Sequence, residues 1–187
     1  TCLSWARKRK DRGQRLLDEN PLEDMDRTEL PKRNTKPRQP VASQDRYTKT
    51  LAQADEVDES GGLACMLVLA RHTGHREGAI CGLQVSDVLR TPEAVRAAIA
   101  ALGGDEGECA NMPHGAILWR VETGRKGVDH IVPISGTVRA ALDSYLNRHA
   151  GIGGAWLFPA PGARSKPIDV GRAGRRLRAA EKLAGLP

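Results

Sequence analysis

The sequence predicts an α+β fold that is mainly helical and carries one small antiparallel β-sheet. Apolar residues recur at helical spacing in most segments between the Gly and Pro breaks. Two β-rich runs, "AILWRVE" and "VDHIVPIS", flank Gly124-Arg125-Lys126-Gly127, a pattern typical of a β-hairpin. Apolar residues make up 40% of the 187 residues, which is enough to form a core.

The first elements are a helix and a linker. The helix begins near Leu3 and bends or ends at Gly13, and the chain leaves this segment at Asn20-Pro21. Residues 26–40 hold three prolines and five Lys/Arg with almost no large apolar side chain. That composition predicts an extended basic linker able to follow phosphates.

The rest of the chain predicts helices around the hairpin. A mostly apolar helix covers 63–72, Thr73-Gly74 turns the chain, and a second helix runs over 76–83. Thr91 and Pro92 begin another helix as its cap and first residue. The remaining helices are predicted in three segments, at 45–60, at 136–150 and over the basic end of the chain, 171–186.

The net charge of +6 is unevenly distributed. Residues 1–40 carry eleven Lys/Arg against seven Asp/Glu, and residues 163–187 carry seven against two. The segment between them is slightly acidic, with eleven against fourteen. Basic ends indicate a protein that places particular surfaces on a polyanion, although solvated helix faces give the same charge pattern.

The four cysteines fit no disulfide framework, which favours small buried side chains in a reducing compartment, the cytoplasm. Cys65, His72, His75 and Cys81 are close in sequence, but their spacing matches no common zinc pattern. We therefore expect no metal and no other cofactor. No apolar span of 18 residues occurs, so we expect no membrane association.

One arginine stands in an unusual place. In "LARHTGHREGAICGLQVSDVLR", Arg76 lies at the start of a helix between two segments that both look buried. An ion pair with Glu77 or Asp87 is one explanation. The other is phosphate binding, because a guanidinium can grip two phosphate oxygens at once and a helix start favours anions.

Four segments together resemble the tyrosine recombinase (phage integrase) family. "TGHREGAICGLQVSDVL" resembles the first catalytic box, with Arg76 at the catalytic arginine, and "ETGRKGVDHIVPIS" resembles the hairpin that carries the catalytic lysine. "WARKRKDRGQRLLDENPL" resembles the last helix of the core-binding domain. "AGRRLRAAEKLAGL" resembles the helix before the second box, His-x-x-Arg.

The resemblance implies site-specific DNA recombination or integration, as in a phage or other mobile element. A tyrosine hydroxyl would attack a DNA phosphate and form a 3′-phosphotyrosine, and Arg76 would neutralise the phosphate without a metal or other cofactor. The hairpin lysine would protonate the leaving 5′-oxygen. The resemblance also implies double-stranded DNA as partner, a homo-tetramer on DNA for the complete protein, and a place in the bacterial cytoplasm at the nucleoid.

The resemblance divides the chain into three parts: the end of a core-binding domain at 1–25, a basic linker at 26–44, and a catalytic domain at 45–187. Counting back from Pro133 puts the family lysine at Arg125, one residue before Lys126. Arginine does not release a proton near neutral pH, so Lys126 is favoured as catalytic and Arg125 as a DNA contact. Further DNA-binding residues are predicted in the linker and the last helix: Lys32, Arg33, Lys36, Arg38, Arg175 and Arg176.

Two parts of the family pattern are missing. The sequence has no His-x-x-Arg box, and its two tyrosines are Tyr47, far upstream, and Tyr145, at a core position of its helix. We therefore expect a piece of a recombinase that is inactive alone. The alternative is a non-catalytic DNA-binding protein or recombinase remnant, and a helical protein-interaction module is a third class.

Overall fold

The structure is a computed structural model that describes residues 10–11, 14–15, 43–121, 128–149 and 151–186. The chain divides into two compact units, Thr1–Val41 and Ala42–Pro187. In the first unit, β1 (Lys10–Asp11) pairs antiparallel with β2 (Gln14–Arg15). The predicted helix is therefore wrong at Lys10–Asp11, since these residues pair with Gln14–Arg15 as strands.

The second unit contains seven α-helices and two 3₁₀ turns in the part of the chain that the structure describes. The helices in order are α1 (Gln44–Ala52), α2 (Ala54–Val57), α3 (Gly62–Thr73), α4 (Glu77–Cys81), α5 (Pro92–Ala101), α6 (Gly136–Arg148) and α7 (Val170–Leu183). The 3₁₀ turns are Val85–Asp87 and Glu106–Asn111. The helix predicted over 45–60 is divided at Gln53, and the segment predicted as a loop at 105–115 contains the second turn.

Helix α3 is the centre of the second unit. Its apolar side chains are buried on several sides, with Leu69 fully buried, and the helix packs against α6. Its first turn is fixed by Asp58, whose Oδ2 accepts the backbone N–H of Leu63 at 2.9 Å. Gly74 ends the helix in the left-handed conformation (φ 67°), which glycine adopts without strain. The predicted turn at Thr73-Gly74 is confirmed.

The central sheet has three antiparallel strands in the order β3 (Val88–Leu89), β4 (Ala116–Trp119) and β5 (His130–Pro133). Strands β4 and β5 are the predicted hairpin, and their register places Trp119 opposite His130. Strand β3 is too short to show an alternating pattern, which is why the sequence did not reveal it. With the sheet added to the helices, the predicted α+β fold is confirmed.

A second hairpin precedes the last helix. Strand β6 (Pro159–Ala160) pairs antiparallel with β7 (Ala163–Pro167), and Asp169 then caps α7 by accepting the backbone N–H of Arg172. The sequence did not predict this hairpin. Helix α7 packs against α1, α2, α3 and α4.

The main core joins the central helices to the sheet. Leu69 of α3, Ile117 of β4 and Leu142 of α6 are each 0% exposed. A fully buried side chain of this size contributes about 1.5–3 kcal/mol relative to an exposed one. A smaller cluster lies between α5 and the sheet and is formed by Leu89, Val95, Ile99 and Ala116. Among the helices that the structure describes, none has the length and apolar character needed to cross a membrane.

Gly115 allows the chain to enter β4 beside β3. Its φ is 92°, and a Cβ at this position would overlap the backbone carbonyl oxygen of Leu89. We expect Gly115→Ala to destabilise the protein by about 3 kcal/mol or more, because strain adds to a clash with rigid backbone. Urea unfolding measures the change.

Gly103 is the matched control, since its φ is 74° and no atom lies within 4 Å of an added Cβ. Gly103→Ala introduces only the left-handed strain, about 1–2 kcal/mol. Equal losses for the two variants would contradict the proposed clash.

Candidate functional site

Arg76 is exposed and lies in extended backbone (φ −66°, ψ 148°) immediately before α4. Its carbonyl oxygen accepts backbone N–H groups from Ala79 and Ile80, which fixes the main chain at this residue. The guanidinium forms no ion pair with any residue in 43–121, 128–149 or 151–186.

Of the two carboxylates that the sequence offered as partners for Arg76, Asp87 is engaged with other groups, and Glu77 forms no ion pair with any residue in 43–121, 128–149 or 151–186. Asp87 is 1% exposed, and its Oδ1 accepts Nε–H of Arg120 at 2.7 Å while its Oδ2 accepts the backbone N–H of Gln84 at 2.8 Å. Burial raises the pKa of Glu77. Arg178 of α7 opposes this shift, and Asp169 reinforces it. The ion-pair explanation of Arg76 therefore receives no support from the described contacts.

The residue before Arg76 joins this loop to the hairpin. The ring of His75 stacks on Trp119 of β4, with ring centroids 3.6 Å apart and planes 4° from parallel. Its Nε2 lies 3.4 Å from Nε2 of His130, the cross-strand partner of Trp119. Burial lowers the pKa of His75; the Thr73 carbonyl opposes this and His130 reinforces it.

The base of the hairpin is held by further contacts. Arg120, directly after β4, forms the ion pair with buried Asp87. Across the strands, Oδ1 of Asp129 accepts the backbone N–H of Val121 at 2.8 Å. Arg76 and the base of the hairpin are therefore parts of one local structure. Arg125 and Lys126 lie outside the described residues.

Helix α7 adds a basic face beside α4. Of the two arginines predicted there to bind DNA, Arg175 is exposed. Arg176 instead donates from its guanidinium to Oδ2 of Asp58 at 2.8 Å, in an ion pair whose carboxylate is 4% exposed. Its position favours a structural role. The predicted linker residues Lys32, Arg33, Lys36 and Arg38 lie outside the described residues.

Neither tyrosine is presented as a nucleophile. Tyr145 is 5% exposed, and burial, reinforced by Cys65 and Asp58, raises its pKa to about 12. Burial also raises the pKa of Tyr47, whose ring lies 5.7 Å from the guanidinium carbon of Arg71. Within the described ranges no group of three or more His, Cys, Asp or Glu side chains is placed to hold a metal ion.

Comparison with known proteins gives matches to solved structures. No family model matches the sequence, and no curated protein matches it either. Solved structures do match. The chain is similar in fold to XerA recombinase. The two share 23% sequence identity with a TM-score of 0.55, over 84% of this chain and 46% of the XerA recombinase chain. This chain thus spans about half the length of that recombinase.

The sequence identified Arg76 but missed the contacts that surround it. From the sequence, His75 is a candidate zinc ligand at most, and Trp119 and His130 are strand residues. Their meeting depends on the register of β4 and β5 and on the turn at Gly74. The alternation of the two strands was the available signal, because it limits which side chains can be opposite each other.

The Asp87–Arg120 pair gives a prediction for stability. In Asp87→Asn, the amide keeps the size of the carboxylate, but it removes the charge facing Arg120 and one of the two acceptor oxygens that serve Arg120 and the backbone N–H of Gln84. We expect a loss of about 2–3 kcal/mol in the free energy of unfolding, measured with urea.

Asp45→Asn is the control, because the Asp45–Lys49 pair is more than half exposed on both sides. Its expected loss is below about 0.5 kcal/mol. If Asp87→Asn were as mild as this control, the hairpin base would not depend on the buried carboxylate.

Proposed function

We propose that this chain is part of a tyrosine-type site-specific recombinase, and that it binds double-stranded DNA with Arg76 on a backbone phosphate. The observation that carries the proposal is the exposed guanidinium of Arg76, which forms no ion pair with any residue in 43–121, 128–149 or 151–186, while Asp87 is engaged with Arg120. A planar guanidinium with no ion-pair partner in 43–121, 128–149 or 151–186 is suited to bidentate contact with a phosphodiester.

The surroundings of Arg76 support a DNA surface. Helix α7 lies against α4, because a Cβ added to Gly174 would lie 3.7 Å from Oε1 of Glu77. The exposed Arg172, Arg175 and Arg178 of α7 therefore provide positive charge next to α4. The fold shared with XerA recombinase agrees with this reading. We include the linker residues Lys32, Arg33, Lys36 and Arg38 as further phosphate contacts, on their charge and sequence position.

In the complete protein we propose strand cleavage and rejoining through a 3′-phosphotyrosine. Arg76 would neutralise the phosphate, and Lys126 would protonate the leaving 5′-oxygen, with Arg125 as a DNA contact. Phosphoryl transfer of this kind depends mainly on positioning and charge, so no metal or other cofactor is needed. We propose that this protein acts as a homo-tetramer on DNA in the bacterial cytoplasm.

A non-catalytic DNA-binding protein is the second candidate function. The observation that favours it is the burial of Tyr145 together with the raised pKa of both tyrosines. This candidate shares the basic surface but has no need of a phosphate-gripping arginine beside the hairpin. The two functions therefore differ in the effect of Arg76 on cleavage by a completed protein.

DNA binding is tested by measuring the affinity of the chain for duplex DNA over a range of salt concentrations. We expect a log-log slope of about −0.9 for each phosphate neutralised. Arg76→Ala is expected to reduce the magnitude of that slope by about 1, because one phosphate contact is lost. Lys49→Ala is the control, since Lys49 is engaged with Asp45 on α1. Affinity that does not change with salt would refute the DNA-binding proposal.

Arg76→Lys separates charge from geometry. The ammonium keeps the positive charge, so most non-specific DNA affinity is expected to remain. In a completed, cleavage-competent protein the same change is expected to abolish strand cleavage, since lysine makes no bidentate contact. Cleavage that survives Arg76→Lys would remove Arg76 from the proposed active site.

Covalent trapping tests the chain by itself. We expect no protein–DNA adduct with a nicked DNA substrate that captures phosphotyrosine intermediates, because Tyr145 is buried and burial raises the pKa of both tyrosines. Denaturing gel electrophoresis detects the adduct. Its appearance, and its loss in Tyr47→Phe or Tyr145→Phe, would show that the chain already contains a nucleophile.

A further inference from the structure

His75 and His130 face each other through the same ring nitrogen. Their Nε2 atoms are 3.4 Å apart, within reach of an N–H···N hydrogen bond. The two rings are 5.6 Å apart between centroids and 21° from parallel. The stack of His75 on Trp119, which is 2% exposed, fixes one side of this pair.

The other ring nitrogens determine where the protons are. Nδ1 of His75 lies 3.1 Å from the carbonyl oxygen of Thr73, and Nδ1 of His130 lies 3.3 Å from the carbonyl oxygen of Val128. A carbonyl oxygen only accepts, so each of these two contacts is a hydrogen bond in the tautomer that carries its proton on Nδ1. In that tautomer, each neutral ring has a bare lone pair at Nε2, and the two lone pairs face each other without a proton between them.

One added proton removes this conflict. It converts one lone pair into a donor and leaves the other as its acceptor, whereas a second proton would set two N–H groups against each other. Burial lowers the pKa of the half-buried His75, and His130 is exposed to water. The added proton therefore belongs on His130, with neutral His75 as the acceptor.

We propose that His75 and His130 form a binding site for a single proton, in which His130 binds a proton from solvent at Nε2 and donates it in a hydrogen bond to Nε2 of His75. The site holds the loop of Arg76 to β5 and places a positive charge beside that arginine. A DNA phosphate at Arg76 then binds more tightly to the protonated pair. This second consequence rests on the DNA binding proposed above.

The charged side chains on the neighbouring elements have other partners or do not titrate in the range of histidine, so the pH dependence is assigned to His75 and His130. Arg120, after β4, is engaged with Asp87, and Asp129, before His130, accepts the backbone N–H of Val121. On α4, the groups that act on Glu77 are Arg178 and Asp169. Arg76 shares the loop with His75, and its own charge is constant over the range in which histidine titrates.

The proton site is tested without DNA by NMR titration of the histidine ring nitrogens in the whole chain. His75→Phe keeps a ring for stacking on Trp119 but removes the acceptor for His130. We expect the midpoint of the His130 titration to fall to lower pH in this variant. His72→Gln, which changes an exposed histidine at the end of α3, is expected to leave that midpoint unchanged.

Two results would overturn the proton site: an unchanged His130 midpoint in His75→Phe, or ring nitrogen shifts showing that both neutral rings carry their proton on Nε2. Should His75→Phe fail to fold, His130→Gln gives the same decision. The neutral side-chain amide of the introduced glutamine can donate an N–H to Nε2 of His75, so His75 should keep its own proton on Nδ1. A proton that moved to Nε2 of His75 would refute the arrangement.

The consequence for DNA is tested by measuring affinity at constant salt from about pH 6 to about pH 8, where histidine titrates. Wild-type affinity is expected to fall with rising pH, by at most about tenfold per pH unit for one linked proton. His130→Gln should be flat over this range, and His72→Gln should follow wild type. A wild-type profile as flat as that of His130→Gln would overturn the coupling. Absence of DNA binding at every pH would instead refute the proposed function, and the NMR titration would still decide the proton site.

Discussion

Burial of α3 is the constraint on which the rest of the structure depends. An apolar helix of this kind must be covered, and α6 and α7 pack against it. The backbone N–H of Leu63 in its first turn donates to a buried carboxylate that precedes the helix, Asp58, which also receives the guanidinium of Arg176. One side chain therefore begins α3 and fixes α7 relative to it. Arg176, which its charge predicted to be a DNA contact, forms an ion pair within the protein instead.

The end of α3 sets the position of the candidate site. Gly74 turns the chain in the left-handed conformation, so that His75 reaches the sheet while Arg76 remains in water. Trp119 is rigid because it is almost fully buried, and a stacked ring on it has little freedom. The loop of Arg76 is thus supported by the core through one aromatic contact. Preorganisation of this kind is what a site for phosphate chemistry requires.

Two carboxylates of this region have structural roles at the base of the hairpin. Asp87 and Asp129 both hold the base of the hairpin, the first through Arg120 and the second through a backbone N–H. An acidic side chain paired with Arg76 would compete with a phosphate for the guanidinium. Neither Asp87 nor Asp129 pairs with Arg76 in the described contacts.

The sequence by itself predicted most helices of the second unit, the hairpin and Arg76 as a candidate site residue, because each depends on local spacing: an apolar run ended by Thr73-Gly74, a cap at Thr91, and β-rich runs around 124–127. Tertiary structure decided what spacing cannot encode. The pairing of Arg176 with Asp58 joins residues 118 positions apart, and that of His75 with His130 joins residues 55 apart. Such contacts depend on strand register and helix packing, which only the folded chain fixes.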